Sequence, residues 1–213
     1  MVGRRAALLG LCALLGLPGC VSMPPRSGAP GPEARIVPDV AVRVFPGDEC
    51  GPGSLSLVLN ALGDAVSERE LASALPPAPG GGVLSVDLLL AARRRGFDAA
   101  LVAGTPEQIR SEVEGGRPVV LLLRLLDVPG RRRDVYHYVV ADGTDPARGL
   151  YRFQFGDGKA RWAPLGSVEK GWRASAHALI VVWPPAQSDA TLRRAVALES
   201  EGRIDDAVAL YRQ

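Results

Sequence analysis

"GDECGPGSLSLVLNALG", residues 47–63, decides how the chain is read. Pro52 stands where an early helical position tolerates a missing N–H. Leu55, Val58, Leu59 and Leu62 follow at the i, i+3, i+4, i+7 spacing of a buried helical face, and Gly63 supplies the stop. The spacing predicts a buried helix whose N-terminus points at Cys50. The residues around that cysteine, Asp48, Glu49, Gly51 and Gly53, have the composition of a loop and not of a core. A helix N-terminus carries partial positive charge, which favours a thiolate over a thiol.

Working outward, the chain has 213 residues, of which 47% are hydrophobic and 23% charged, and so suits one good-sized globular domain with an appendage. A formal net charge of +2 points to neither nucleic acid nor an acidic membrane surface as partner. The Arg-rich runs 93–95 and 131–133 read as solvated faces. Residues 1–19 have a basic start (Arg4, Arg5), an apolar stretch too short to span a bilayer well, and a small-residue end, the layout of a secretory signal. Leu17-Pro18-Gly19-Cys20 resembles a bacterial lipobox, which implies cleavage before Cys20 and acylation of that cysteine. Val21 after it, in place of Asp, suggests the periplasmic face of the outer membrane in a cell with two membranes. Residues 20–36, rich in Pro, Gly and Ser, read as a tether.

Cysteine counting sharpens the question that Cys50 raises. Of three cysteines, Cys12 leaves with the signal and Cys20 carries lipid, so the mature domain can form no internal disulfide. A single thiol in an oxidising compartment is a liability unless it has a chemical role.

Residues 37–185 read as the main domain. Ser67 with Glu70 forms a capping box and Val66 with Leu71 a hydrophobic staple, opening a second helix that Pro76-Pro77 end. A third helix near 86–95 stops at Gly96, and a fourth opens at Thr105-Pro106 and closes at Gly115-Gly116. The second half is strands: "RPVVLLLRLL", "YHYVVAD", "LYRFQFGD", "KARWAP" and "HALIVVW", with turn clusters between them. Helices followed by an antiparallel-looking sheet make an α+β domain. In residues 188–213, Ala195, Leu198, Gly202, Ala207 and Tyr211 have the spacing of a tetratricopeptide-type hairpin. One such unit cannot bury its own face, so it must pack on the main domain, on a partner, or on further repeats. A plain amphipathic hairpin fits the same spacing.

A thiol nucleophile needs a base, and the chain has two histidines, His137 in "DVYHYVVADG" and His177 at the head of the last strand. Cys-Gly-Pro opening a helix, with His-Tyr-Val-Val in a strand about 90 residues later, resembles the C39-like branch of the papain-type cysteine peptidases. The likeness runs over most of 37–184, through "LNALG", "GGVLSVDLLLAARRRGF", "RPVVLLL" and "PLGSVEKGW". With the lipobox and the hairpin, the chain is similar to bacterial lipoprotein peptidases with trailing tetratricopeptide repeats.

The resemblance implies a papain-like fold, a peptide substrate, Cys50 as nucleophile and His137 as general base. It also implies an Asp or Asn on the next strand to orient the imidazole. Asp157 is the first candidate and Gln154 the second; Asp142, five residues after His137 in its own strand, points to the opposite face. The family's upstream Gln, an oxyanion donor, is missing: Gly47 and Asp48 occupy its place, and loss of such a donor slows chemistry about 10²–10³-fold. A non-catalytic peptide-binding or assembly lipoprotein is therefore the competing reading. No spacing suits a metal or a phosphate loop, and no cofactor is expected.

Overall fold

The computed structural model describes residues 29–45, 49–79, 81–125, 135–185, 194–196, 198–199 and 202–211. The signal, Cys20 and positions 46–48 lie outside the described residues.

Helix α1 (Cys50–Ala61) starts at the cysteine, buries Leu55, Leu57, Val58 and Leu59, and is followed by Gly63 at φ 93°. Helix α2 (Glu68–Ala74) begins with the expected box, in which Ser67 Oγ accepts the Glu70 N–H at 3.1 Å. Val66 and Leu71 of the staple are both buried. Helix α3 (Ser85–Arg94) ends before Gly96, at φ 86°. Helix α4 (Pro106–Glu114) is capped by Thr105 Oγ1, which accepts the Gln108 N–H at 3.1 Å. These boundaries follow the sequence because each is set by local hydrogen bonding at a cap.

The sheet holds seven strands among the described residues, every pairing antiparallel. They are β1 (Arg35–Ile36), β2 (Asp98–Ala103), β3 (Val119–Leu125), β4 (Val135–Asp145), β5 (Leu150–Gln154), β6 (Ala160–Pro164) and β7 (Ala178–Trp183). Their order is β2-β7-β3-β4-β5-β6, with β1 added to β4. The apolar run of β3 is central, paired to β4 on one side and β7 on the other, as a strand buried on both faces must be.

Two elements go beyond the sequence reading. Asp98–Ala103, an Ala-rich segment of low strand propensity, forms β2 through its full-length pairing with β7. Gly166–Ala174 forms helix α5, which buries Val168 and Trp172, and Trp172 Nε1 donates to the Ala178 carbonyl at 3.0 Å. Mixed helices and an antiparallel sheet are the expected α+β class. In the tail, a last helix spans Ile204–Tyr211 after Gly202 at φ 76°, and Ala195 and Ala207 are buried. An ion pair of 3.7 Å from Glu199 to Arg93 of α3 brings this segment to the main domain.

Candidate active site

Cys50 occupies the first residue of α1, half-buried, the one cysteine among the described residues. The first turn contains no acidic side chain, and the N-cap Glu49 makes no side-chain cap. Glycines let other chains close in around that turn. A Cβ on Gly51 would stand 2.5 Å from Val83 and 3.2 Å from the Tyr138 ring; one on Gly53 would stand 2.4 Å from the Phe45 ring. Tyr138 follows His137 in β4, so the helix N-terminus docks on the strand that carries the histidine.

Tyr138 is itself fixed there. Its hydroxyl lies 2.9 Å from Ser85 Oγ and 3.1 Å from the Val83 carbonyl. Burial pushes its pKa up to about 12, with the charges of Cys50 and Asp87 adding to the rise against the Ser85 hydrogen bond. It stays a neutral phenol at any working pH.

The His137 ring is held from the other side. Its Nε2 lies 3.0 Å from the Phe155 carbonyl oxygen, and its plane is within 7° of the Phe155 ring at a centroid separation of 6.3 Å. A carbonyl can only accept, so Nε2 carries the hydrogen and Nδ1 of the neutral ring keeps its lone pair. Burial pushes the imidazole below the usual histidine range, partly offset by the Phe155 carbonyl and by the charge of Asp157. The result is a neutral imidazole with its basic nitrogen on Nδ1.

Phe155 leads back to the cysteine helix. Gly156 and Gly158, at φ 73° and 74°, turn the chain, and Gly156 C=O accepts the Phe45 N–H at 2.8 Å while Gly158 N–H donates to Arg43 C=O at 2.9 Å. Phe45 is the ring that covers Gly53. The start of the cysteine helix is thus linked to β4 by Gly51 against Tyr138, whose side chain lies on the face of β4 opposite His137, and to the Phe155 segment by Gly53 through Phe45 and Gly156.

The third position differs from the sequence expectation. Both carboxylate oxygens of Asp157 are taken by Arg161, with Nη1 at 2.9 Å from Oδ1 and Nη2 on Oδ2, and the ring hydrogen bond goes to the main chain. The guanidinium holds the Asp157 carboxyl below the usual carboxylate range. Gln154 is paired with Val140 in register and so lies on the face opposite His137, where its Nε2 donates to Asp142 Oδ2 at 2.6 Å. Asp142 shares that face, as the sequence reading placed it. The Phe155 carbonyl was missed because a main-chain acceptor has no residue-type signature. Arg161 had one, its i+4 spacing from Asp157.

His177 has another setting. It heads β7 with Ala176 before it, both at φ 56°, contacts Glu169 Oε1 at 3.0 Å through Nε2, and meets the Trp172 ring edge-on at 4.8 Å. It packs the end of α5 against the sheet.

No family model and no curated protein matches the chain. Solved structures do. A protein from Bacillus anthracis assigned as a C39-like peptidase matches at 19% identity and TM-score 0.57, over 70% of this chain and 97% of that one. The peptidase domain of Streptococcus ComA, a bi-functional ABC transporter involved in quorum sensing, matches at 18% identity and TM-score 0.53, over 68% and 98%. A double-glycine-motif protease from an AMS/PCAT transporter, in complex with the leader peptide, matches at 16% identity and TM-score 0.52, over 73% and 97%. The chain has the fold of C39-like peptidase domains.

Proposed function

We propose that the protein is a cysteine peptidase, with Cys50 as nucleophile and His137 as general base acting through Nδ1. The observation that carries this reading is the His137 ring, half-buried and held below the usual histidine range, with Nε2–H on the Phe155 carbonyl, on the strand that packs against the N-terminus of the cysteine helix. Nδ1 takes the thiol proton and the Cys50 sulfur bonds to the substrate carbonyl carbon. The tetrahedral intermediate collapses as the C–N bond breaks, Nδ1–H protonates the leaving amine, and a thioester remains. Water, deprotonated by Nδ1, then releases the acid and regenerates the thiol. The main-chain N–H groups of Cys50 and Gly51 supply the oxyanion donors in place of the missing side-chain amide, since Pro52 has no N–H and the Gly53 N–H already donates to the Glu49 carbonyl at 2.9 Å.

The substrate is a peptide, in keeping with the leader peptide that one similar protein holds. The test is the alkylation rate of Cys50 against pH. The expected titration lies below the free-cysteine value of roughly 8.5 and moves when His137 is changed to Ala. A titration at the ordinary value, unmoved by His137→Ala, would overturn the peptidase reading in favour of a peptide-binding lipoprotein.

We place the mature protein on a membrane through lipid at Cys20. Two or three acyl chains at about 0.8 kcal/mol per buried CH₂ hold a protein firmly. The expected intact mass is that of an acylated chain starting at Cys20, and Cys20→Ser should leave the membrane fraction; retention of that variant on the membrane would sink the assignment.

A further inference from the structure

We propose that Arg161 is the positioning residue of this site: it clamps Asp157 and covers Phe155, so that a main-chain carbonyl orients His137 and Asp157 serves the clamp instead of the ring. The proposal rests on the peptidase reading above for its catalytic consequences, and on the geometry of Phe155, Asp157 and Arg161 for its structural ones.

The physical problem is that Phe155 is followed by Gly156-Asp157-Gly158, with both glycines in the left-handed region. Glycine loses more backbone freedom on ordering than other residues, so a carbonyl at the edge of such a turn is held poorly unless the turn is pinned. Two main-chain bonds to Arg43 and Phe45 pin it on one side. On the other side, Arg161 reaches from β6 with two nitrogens on the two Asp157 oxygens, and its guanidinium carbon lies 5.9 Å from the Phe155 ring centroid. The side chain of Arg161 is 13% exposed, so the guanidinium is packed and not waving in solvent. A planar fork that engages a carboxylate through two bonds while lying on an aromatic face fixes orientation as well as distance. A lysine would keep the charge and lose both constraints.

The same arrangement explains why the Asp157 charge reaches His137 without a bond between them. The carboxylate raises the proton affinity of the ring, and the guanidinium clamped on that carboxylate carries the opposite charge. Removing either partner should therefore move the His137 titration in opposite directions, a signature that a merely structural bridge would not give.

The experiment compares Arg161→Lys, Arg161→Gln and Asp157→Asn in the full chain, each checked for folding by thermal melt. The first reading is the pH titration of His137 by ¹⁵N NMR, which needs no turnover. Arg161→Gln should raise the His137 pKa and mix the two neutral tautomers, Asp157→Asn should lower it, and Arg161→Lys should keep the pKa while still mixing the tautomers. Identical titrations and tautomers in all variants would overturn the proposal. The second reading is peptide cleavage. Arg161→Gln, Arg161→Lys and Asp157→Asn each open the clamp and should lower kcat about 10-fold with KM little changed. A loss of roughly 10⁴-fold in Asp157→Asn, as when a triad carboxylate is amidated, would make Asp157 the orienting group and overturn the proposal. Absence of cleavage by wild type would count against the peptidase reading alone, since the NMR reading still decides the clamp.

Discussion

Changing His137 to Gln should lower peptide hydrolysis by about 10³-fold or more, while His177→Gln should stay within a few-fold of wild type. The two histidines occupy similar places in the sequence, each at the head of an apolar strand, and the structure separates them. His137 keeps an unprotonated Nδ1 on a ring fixed by Phe155, beside the strand residue that meets the cysteine helix. His177 meets Glu169 and the edge of Trp172. Glutamine at 177 retains a donor for Glu169, so the fold should persist. On the proposed mechanism, glutamine at 137 has no group that can take the Cys50 thiol proton. Cys50→Ala should abolish the same activity. The assay is hydrolysis of a diverse peptide library by each variant. Equal losses at both histidines, or activity that survives Cys50→Ala, would show that the site is misassigned.

The acid limb of the pH profile follows from the same ring. Burial lowers the His137 pKa, so the neutral base persists to pH values below the ordinary histidine value of about 6.5. For stability the sign is that of a depressed basic group. Above about pH 6.5 neither state binds the proton, and the native state loses ground as pH falls through the window below it, where the unfolded chain protonates first.

What the sequence shows of this protein divides along physical lines. Helix α1 and the caps at Ser67 and Thr105 were legible because each is determined within a few residues. Strand β2 was not: Asp98–Ala103 has no strand signal of its own and takes its conformation from β7, about 80 residues away. Helix α5 hid behind Gly166 and Gly171, and its stability comes from Trp172 packed at the sheet and not from propensity. At the candidate site, Cys50 and His137 stand out in the sequence because their chemistry is written in their side chains. The hydrogen-bond partner of the His137 ring does not, since any residue at 155 would present a carbonyl. Asp157 drew attention as a carboxylate in the right region, but a carboxylate four residues from an arginine in a tight turn has a nearer partner than the imidazole.

Asp142→Asn should remove a pH dependence of stability worth about 3 kcal/mol. Asp142 is completely buried, with Arg152 Nη1 at 2.7 Å and Gln154 Nε2 at 2.6 Å both on Oδ2. Its Oδ1 and the neighbouring Gln154 Oε1 have no hydrogen-bond partner. Burial pushes the carboxyl up to about 6, against the opposing pull of Arg152 and Gln154. An unfolded aspartate titrates near 3.9, so the difference is about two pKa units at 1.36 kcal/mol each. The folded state therefore holds this proton more tightly than the unfolded one. The associated stability is fully present below about pH 4 and is lost as pH rises through about 6. Asparagine accepts from the same two donors through its amide oxygen at every pH and has no proton to lose in that range. Its offset from wild type at any one pH includes the response of Arg152, which loses its anion. The decisive quantity is thus the change in the wild-type minus variant difference between pH 4 and pH 7, in which the other titrating groups, His137 among them, cancel. Denaturant unfolding of both proteins across that range should show wild type losing about 3 kcal/mol relative to Asp142→Asn. Parallel curves would mean that Asp142 ionises in the folded protein as easily as in the unfolded chain, and that the Arg152 pairing outweighs the burial.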